Sequence, residues 1–258
     1  MNINTGKTIR LSDFIHPKDK RCLMVDTTIT STLGAITGLE DFGTVLKSIN
    51  ELVDGIIINP GQLEHQAEQL GGKRRATPIV RVDWTNAYRH NDFCLPVSNV
   101  KRLMISNGDD AFQLGASAVI ASLLLGFNDE FEANNIKELS LLARECHPIS
   151  MPVIIDIRPI GPKVSLGNFS ESIKLGVSFM LELGADALII PTCDSETYQT
   201  IARWISVPVL LRLNEFPPES NMKQMFDAGV AGIVLAEDIF AVSDYAQKIE
   251  NLKTIIHQ

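Results

Sequence analysis

A (β/α)8, or TIM, barrel is the fold this sequence predicts, on three observations. Eight short apolar runs rich in β-branched residues alternate with longer stretches of helical period from end to end of the chain. Three helical stretches stop at a glycine just ahead of the next strand, in Leu114-Gly115-Ala116, Leu183-Gly184-Ala185-Asp186 and Ala228-Gly229-Val230-Ala231. Glycine takes the left-handed conformation that closes a helix, so each stop feeds a strand. The length, 258 residues, suits one barrel of about 250 residues. The whole chain, 1–258, is therefore expected to form a single domain. A doubly wound open sheet is the rival, but no G-x-G-x-x-G follows the first strand.

The predicted strands, in order, are 22–28 (CLMVDTT), 55–59 (GIIIN), 78–84 (PIVRVDW), 118–125 (AVIASLLL), 152–159 (PVIIDIRP), 187–192 (ALIIPT), 208–214 (PVLLRLN) and 232–237 (GIVLAE). Each is a near-continuous apolar run, as expected of parallel strands covered on both faces. Helical stretches are predicted at 40–53, 129–145, 171–183 and 220–228. Met222, Met225 and Phe226 share helical spacing in the last of these and read as core packing.

Composition narrows the function classes. A net charge of −8 opposes a nucleic-acid surface, and the one basic cluster, Lys73, Arg74 and Arg75, reads as a solvated loop. No run reaches the roughly 18 apolar residues of a membrane span, and the N-terminus lacks a signal-peptide core, so no membrane role and a cytoplasmic location are expected. Cys22, Cys94, Cys146 and Cys193 show no C-x-x-C spacing and are read as buried, reduced thiols.

Chemistry in such a barrel sits at the C-terminal ends of the strands. Polar residues interrupt the apolar runs there: Asp26, Asn59, Arg81 with Asp83, Asp156 with Arg158, Arg212 with Asn214, and Glu237 with Asp238. Residues two apart in a strand share a face. Turned outward, these charges would be trapped under the helices at a cost of several kcal/mol each unless paired, so they are expected to line the mouth. An arginine–carboxylate network that only braces the mouth is the bland alternative. The arginines point to an anionic or hydroxyl-rich small molecule held by guanidinium contacts. Since arginine keeps its proton, Asp26, Asp83 or Asp156 is expected to serve as acid or base, with Arg81, Arg158, Arg212, Asn59, Asn214, Glu237 and Trp84 binding substrate. The long stretch from Trp84 to Val100, with Tyr88, Arg89 and His90, is a candidate lid. His65, His90, His147 and His257 are expected to be solvated.

A family resemblance runs through the chain. Gly6-Lys7-x-x-Arg10-Leu11, Phe14, His16-Pro17 and the strand ending in Asp26 resemble the opening of archaeal-type class I fructose-bisphosphate aldolases and of the thiolase acting on phosphorylated autoinducer-2. Gly38-Leu39-Glu40-Asp41, Asn59-Pro60-Gly61, Asp110-Ala111, Gly126 with Glu130, Gly184-Ala185-Asp186, Ala228-Gly229-x-Ala231-Gly232 and Asp238-Ile239-Phe240 follow in the same order. The resemblance implies the barrel, a lyase activity and assembly into homo-oligomers. It also implies a Schiff-base lysine in Gly-Ala-Asp-x-x-Lys, but Gly184-Ala185-Asp186-Ala187-Leu188-Ile189 puts Ile189 at that position, and isoleucine forms no imine. The arginine of the family's phosphate cradle is replaced by Glu237, and Thr27-Thr28 stand for the His-Gly after the catalytic carboxylate retained as Asp26.

The sequence thus favours an aldolase-like lyase acting on a small keto acid or sugar-derived compound without a lysine imine and without a cofactor. A degenerate homologue that binds a metabolite or a partner protein is the alternative. Two substitutes for the lysine are conceivable: Lys163 after the fifth strand, or a Mg²⁺ or Mn²⁺ ion held by Asp26, Asp83, Asp156 and Glu237.

Overall fold

Eight parallel strands close on themselves in a computed structural model that describes residues 5–258. The strands of the chain are β1 (Cys22–Asp26), β2 (Gly55–Ile58), β3 (Thr77–Arg81), β4 (Asp83–Thr85), β5 (Arg102–Met104), β6 (Ala118–Leu125), β7 (Val153–Pro159), β8 (Ala187–Pro191), β9 (Val209–Leu213) and β10 (Gly232–Leu235). The barrel order is β1-β10-β9-β8-β7-β6-β3-β2, with β2 returning to β1, while β4 and β5 form a separate antiparallel pair. The helices are α1 (Thr5–Ser12), α2 (Thr30–Leu33), α3 (Phe42–Ile49), α4 (Pro60–Leu70), α5 (Gly108–Gln113), α6 (Asp129–Cys146), α7 (Phe169–Glu182), α8 (Ser195–Trp204), α9 (Glu219–Asp227) and α10 (Tyr245–Ile256). The (β/α)8 barrel expected from the sequence is the observed fold.

Strand alternation divides the apolar residues into two cores. Leu23, Val25, Ile56, Val80, Val119, Ile155 and their equivalents pack outward against the helices. Met24, Ile57, Ile79, Ile120, Ile154, Ile189, Leu210 and Val234 point inward and fill the barrel, plugged from below by Phe14 and Ile15. Gly115, Gly184 and Gly229, the expected helix stops, have φ of 80°, 89° and 98°.

The third predicted strand differs from expectation. It breaks at Val82: Arg81 ends β3, and Asp83 begins β4, which pairs with β5. Asp83 is therefore not an inward residue of the same strand. The ninth strand ends at Leu213, so Asn214 is exposed and does not share a strand face with Arg212. Cys94 is exposed, against the expectation of four buried thiols. His257 is half-buried and bonded through both ring nitrogens, to Asp19 and Asp54, rather than solvated. His65, His90 and His147 are exposed as expected.

Candidate active site

Above the apolar layer, the inward positions of the barrel turn polar. Asp26 from β1, Arg81 from β3, Ser122 from β6, Asp156 from β7 and Arg212 from β9 are all buried together. Each lies two residues beyond an inward apolar side chain, so the strand period that fills the core also assembles this cluster.

Asp26 is saturated. Its Oδ1 accepts from the Thr28 amide at 3.0 Å and the Thr28 hydroxyl at 2.6 Å. Its Oδ2 accepts from Arg81 at 2.9 Å and from Arg212 at 2.7 Å. Burial alone would raise its pKa, but the two guanidinium groups and the Thr28 bonds outweigh burial and hold the carboxyl far below the usual range. Asp156 Oδ2 accepts from the same Arg212 nitrogen at 2.7 Å and from Arg81 at 3.4 Å. It too stays ionised, because Arg158, Arg212 and Arg81 together overcome its burial. Arg81 is further held by the hydroxyls of Thr28 at 2.7 Å and Ser122 at 2.9 Å.

Asp83 Oδ1 also accepts from Arg81, at 3.4 Å, while its other oxygen faces further partners. That oxygen accepts from the Ser122 amide at 2.8 Å and from Arg102 Nε at 3.0 Å, and Arg102 continues to Glu138 at 2.7 Å. Asp83 thus ties β4, β5, β6 and α6 together behind the cluster. Asn59 immediately precedes α4 but makes no side-chain cap bond; its side-chain amide donates to the Thr28 carbonyl at 3.0 Å instead.

Buried polar atoms without a hydrogen-bond partner include Asn59 Oδ1 and Gln69 Oε1, but they concentrate on Asp156, Arg158 and Arg212. Arg158 Nε stands 3.0 Å from Asp156 Oδ1 but is out of line for a hydrogen bond, so the charges attract while both atoms stay without a hydrogen-bond partner. Arg212 Nε and Nη1 are likewise buried and unpartnered. Buried polar groups are normally bonded, so a concentration of orphans marks a place prepared for polar ligand atoms or water.

These atoms lie between two openings. A cavity of about 40 Å³ is bordered by Asp26, Arg81, Trp84, Tyr88, Arg158 and Glu237. It accommodates roughly two or three waters. On the other side of Arg158 and Arg212, an open hollow of about 620 Å³ reaches Thr192, Asn214 and Asp238. Glu237, half-buried at the rim, has its pKa raised by burial and by the charge of Asp26.

The expected lid is anchored rather than loose. Trp84 donates to the Ser31 carbonyl at 2.9 Å, and Arg89 donates to the Thr32 carbonyl at 2.9 Å while lying over the Trp84 and Phe93 rings. Tyr88 reaches over the site with its ring 5.6 Å from the Arg158 guanidinium. Arg102, Thr28 and Ser122 were not expected. Arg102 lies in a three-residue strand too short to show a period, while small hydroxyl residues at strand ends are legible only once the guanidinium they bind is placed.

The two lysine substitutes do not join this cluster. Lys163 is exposed on the rim and paired with Asp129 at 2.7 Å. A Mg²⁺ or Mn²⁺ ion does not fit the carboxylates: Asp26 and Asp156 share Arg212, Asp83 holds Arg102, and the intervening guanidinium groups repel a cation. The expected lysine position is filled by Ile189, fully buried in the barrel interior and in register with Asp156 on β7.

Comparison with known proteins gives a consistent picture. A family model described as DeoC/LacD family aldolase matches residues 16–212. A 2-amino-4,5-dihydroxy-6-oxo-7-(phosphonooxy)heptanoate synthase from Streptomyces griseus is 22% identical over 263 residues, covering 99% of this chain and 92% of that protein. A 3-hydroxy-5-phosphonooxypentane-2,4-dione thiolase from Photorhabdus laumondii is 24% identical over 261 residues, covering 99% and 84%. The crystal structure of an archaeal fructose 1,6-bisphosphate aldolase superposes with a TM-score of 0.78 at 20% identity, covering 97% of this chain and 99% of that one.

Proposed function

The chain belongs to the DeoC/LacD family of aldolases, and from that premise we propose that it is a lyase that cleaves, forms or enolises at a carbon–carbon bond of a small keto acid or sugar-derived carbonyl compound without a lysine imine. The unpartnered nitrogens of Arg158 and Arg212 at the mouth carry this reading. An enolate oxygen or a carboxylate is the ligand that satisfies them, by charge-assisted hydrogen bonds. Ile189 supports the imine-free route.

Proton transfer falls to Glu237 rather than to the aspartates. Asp26 has no acceptor capacity left, and the guanidinium groups lower the pKa of both it and Asp156 despite their burial. Glu237 has a raised pKa, which moves it toward the range useful for a general base. In the cleavage direction Glu237 takes the proton of the substrate hydroxyl. The carbon–carbon bond breaks as a carbonyl forms on that side, and its electron pair passes to the enolate oxygen beside the guanidinium groups. Glu237 then returns the proton to the enolate carbon. Asp26 and Asp156 hold the arginines, and Trp84 and Tyr88 exclude water. The carboxylate of Glu237 opposes a phosphate dianion beside it, which favours a substrate whose anionic end is a carboxylate.

A second reading, a metabolite-binding protein without turnover, is favoured by the small size of the cavity beside Asp26 and Arg158, about 40 Å³. One experiment separates the two. The protein is incubated with a panel of keto acids and sugar phosphates, with and without borohydride, and the α-proton exchange of each compound in D2O is followed by NMR. The expected result is exchange of a keto acid with no borohydride-trapped mass on the protein, slowed about 100-fold or more in Glu237→Gln. A trapped lysine adduct overturns the imine-free mechanism. Saturable binding with no exchange assigns the protein to the second reading.

A further inference from the structure

We propose that His16, Asp19 and His257, at the end of the barrel opposite the mouth, form a site for zinc or a chemically similar divalent transition metal. The site joins the loop before β1 to the end of α10.

The turn from 16 to 21 sets two of the donors. Lys20 adopts φ 61°, and the turn is closed by backbone bonds from Lys20 to His16 at 2.8 Å and from His16 to Arg21 at 2.9 Å. The third donor, His257, follows α10 directly. Asp19 Oδ2 is 2.9 Å from His257 Nδ1 and 3.2 Å from His16 Nδ1, and the three donor atoms all lie within 4.8 Å of one another. Donors around a tetrahedral zinc ion, each about 2.0 to 2.1 Å from the metal, stand roughly 3.3 Å apart. Two edges of that tetrahedron are nearly present already.

The surroundings supply an independent argument. A metal-bound histidine commonly gives its other ring nitrogen to a carboxylate, which fixes the ring. His257 Nε2 lies 2.9 Å from Asp54 Oδ2, and that oxygen is itself held by the Leu23 amide at 2.7 Å. Asp19 is fixed in the same way, since its Oδ1 accepts from the Arg21 amide at 2.8 Å and its Oδ2 faces the two imidazoles. Arg21 binds the Ile256 carbonyl and lies over the Phe226 ring, while Lys253 binds the Glu51 carbonyl and pairs at 3.7 Å with Asp54 Oδ1, the oxygen that does not face His257. His16 is half exposed, at 48% of its side chain, so a fourth position opens to water. Two imidazoles and one carboxylate suit zinc better than magnesium or calcium. On binding, the metal displaces the proton shared by His257 Nδ1 and Asp19, which passes to solvent.

The test uses the untagged full chain after chelator treatment. Zinc is titrated calorimetrically, cobalt(II) by absorbance, and the melting temperature is read with each. One equivalent of metal is expected, with a rise of about 5 °C or more in melting temperature at metal roughly 100-fold above its dissociation constant. His16→Ala and His257→Ala should each lose the equivalent and the rise, whereas His65→Ala and His147→Ala keep both. His16 is half exposed and outside the apolar cores, so its variant tests the site without loss of the fold. The proposal is overturned by no stoichiometric binding, by binding that survives both His16→Ala and His257→Ala, or by a cobalt spectrum with thiolate charge-transfer bands, which would assign the metal to cysteine.

Discussion

At the scale of single residues, the mouth of the barrel holds charges that are fully bonded beside charges that keep unpartnered nitrogens. Asp26 is the clearest of the first kind, bridging Arg81 and Arg212 while both of its oxygens are fully used. Asp26→Asn removes the anion but keeps the shape, leaving two buried guanidinium groups short of a counter-charge. Breaking a buried pair from one side costs about 3–5 kcal/mol. For a chain of this size that is a fall in melting temperature of about 10 °C, measurable by calorimetry. Arg158 is of the second kind: its Nε lacks a hydrogen bond. Arg158→Met should lower the melting temperature less than Asp26→Asn does, because its methylene stem is kept and Asp156 retains Arg81 and Arg212 as counter-charges. The same variant should weaken binding of a keto acid at least tenfold in a titration. Equal losses of stability in the two variants would mean that the whole cluster is a brace.

Among the elements, the strands were legible because their signal is local. Eight apolar runs and three glycine stops are features of neighbouring residues, and all eight runs contain barrel strands. The departures arise where the deciding interaction is distant in sequence. Val82 looks like the middle of a strand, yet Asp83 leaves the barrel to reach Arg102, nineteen residues away in chain order. Asn214 continues the alternation of β9 on paper, but nothing pairs with the chain beyond Leu213. The mouth residues Asp26, Arg81, Asp156 and Arg212 were visible as polar interruptions of apolar strands, whereas which of them remain available to a substrate depends on partners from other strands. Close contact between elements also yields a prediction at Gly161. This residue follows β7 and packs on the Gly126 backbone after β6, where a Cβ would collide with the Gly126 carbonyl group. Gly161 donates to the Leu125 carbonyl at 2.8 Å, and Lys163 donates to Gly126 at 2.9 Å. Gly161→Ala should cost about 1–3 kcal/mol in denaturant unfolding by forcing the two strand ends apart. Gly167→Ala, in an open part of the same connection, should not.

For the whole molecule, the buried carboxyl groups make folding depend on pH with two opposite signs. Asp26 and Asp156 have pKa values lowered on folding. Their contribution is complete above the unfolded value of about 3.9 and is lost as pH falls further toward the folded values. Glu237 has a raised pKa. Its contribution is therefore complete below the unfolded value of about 4.3 and is lost as pH rises through the folded value. The groups that bias it are Asp26, which opposes its ionisation, and Arg212 and Arg158, which favour it. Acidification from neutrality toward the unfolded value should thus relieve the mouth slightly as Glu237 takes up a proton. Further acidification should then unfold the barrel as the aspartates that hold three arginines are neutralised. Melting temperatures measured across this range for the wild type, Glu237→Gln and Asp26→Asn resolve the two limbs. The difference between wild type and Glu237→Gln should be confined to the limb above about pH 4. Asp26→Asn should flatten the limb below it. If Glu237→Gln instead altered only the acid limb, folding would lower the pKa of the carboxyl rather than raise it, and the proton-transfer role assigned to it would fall.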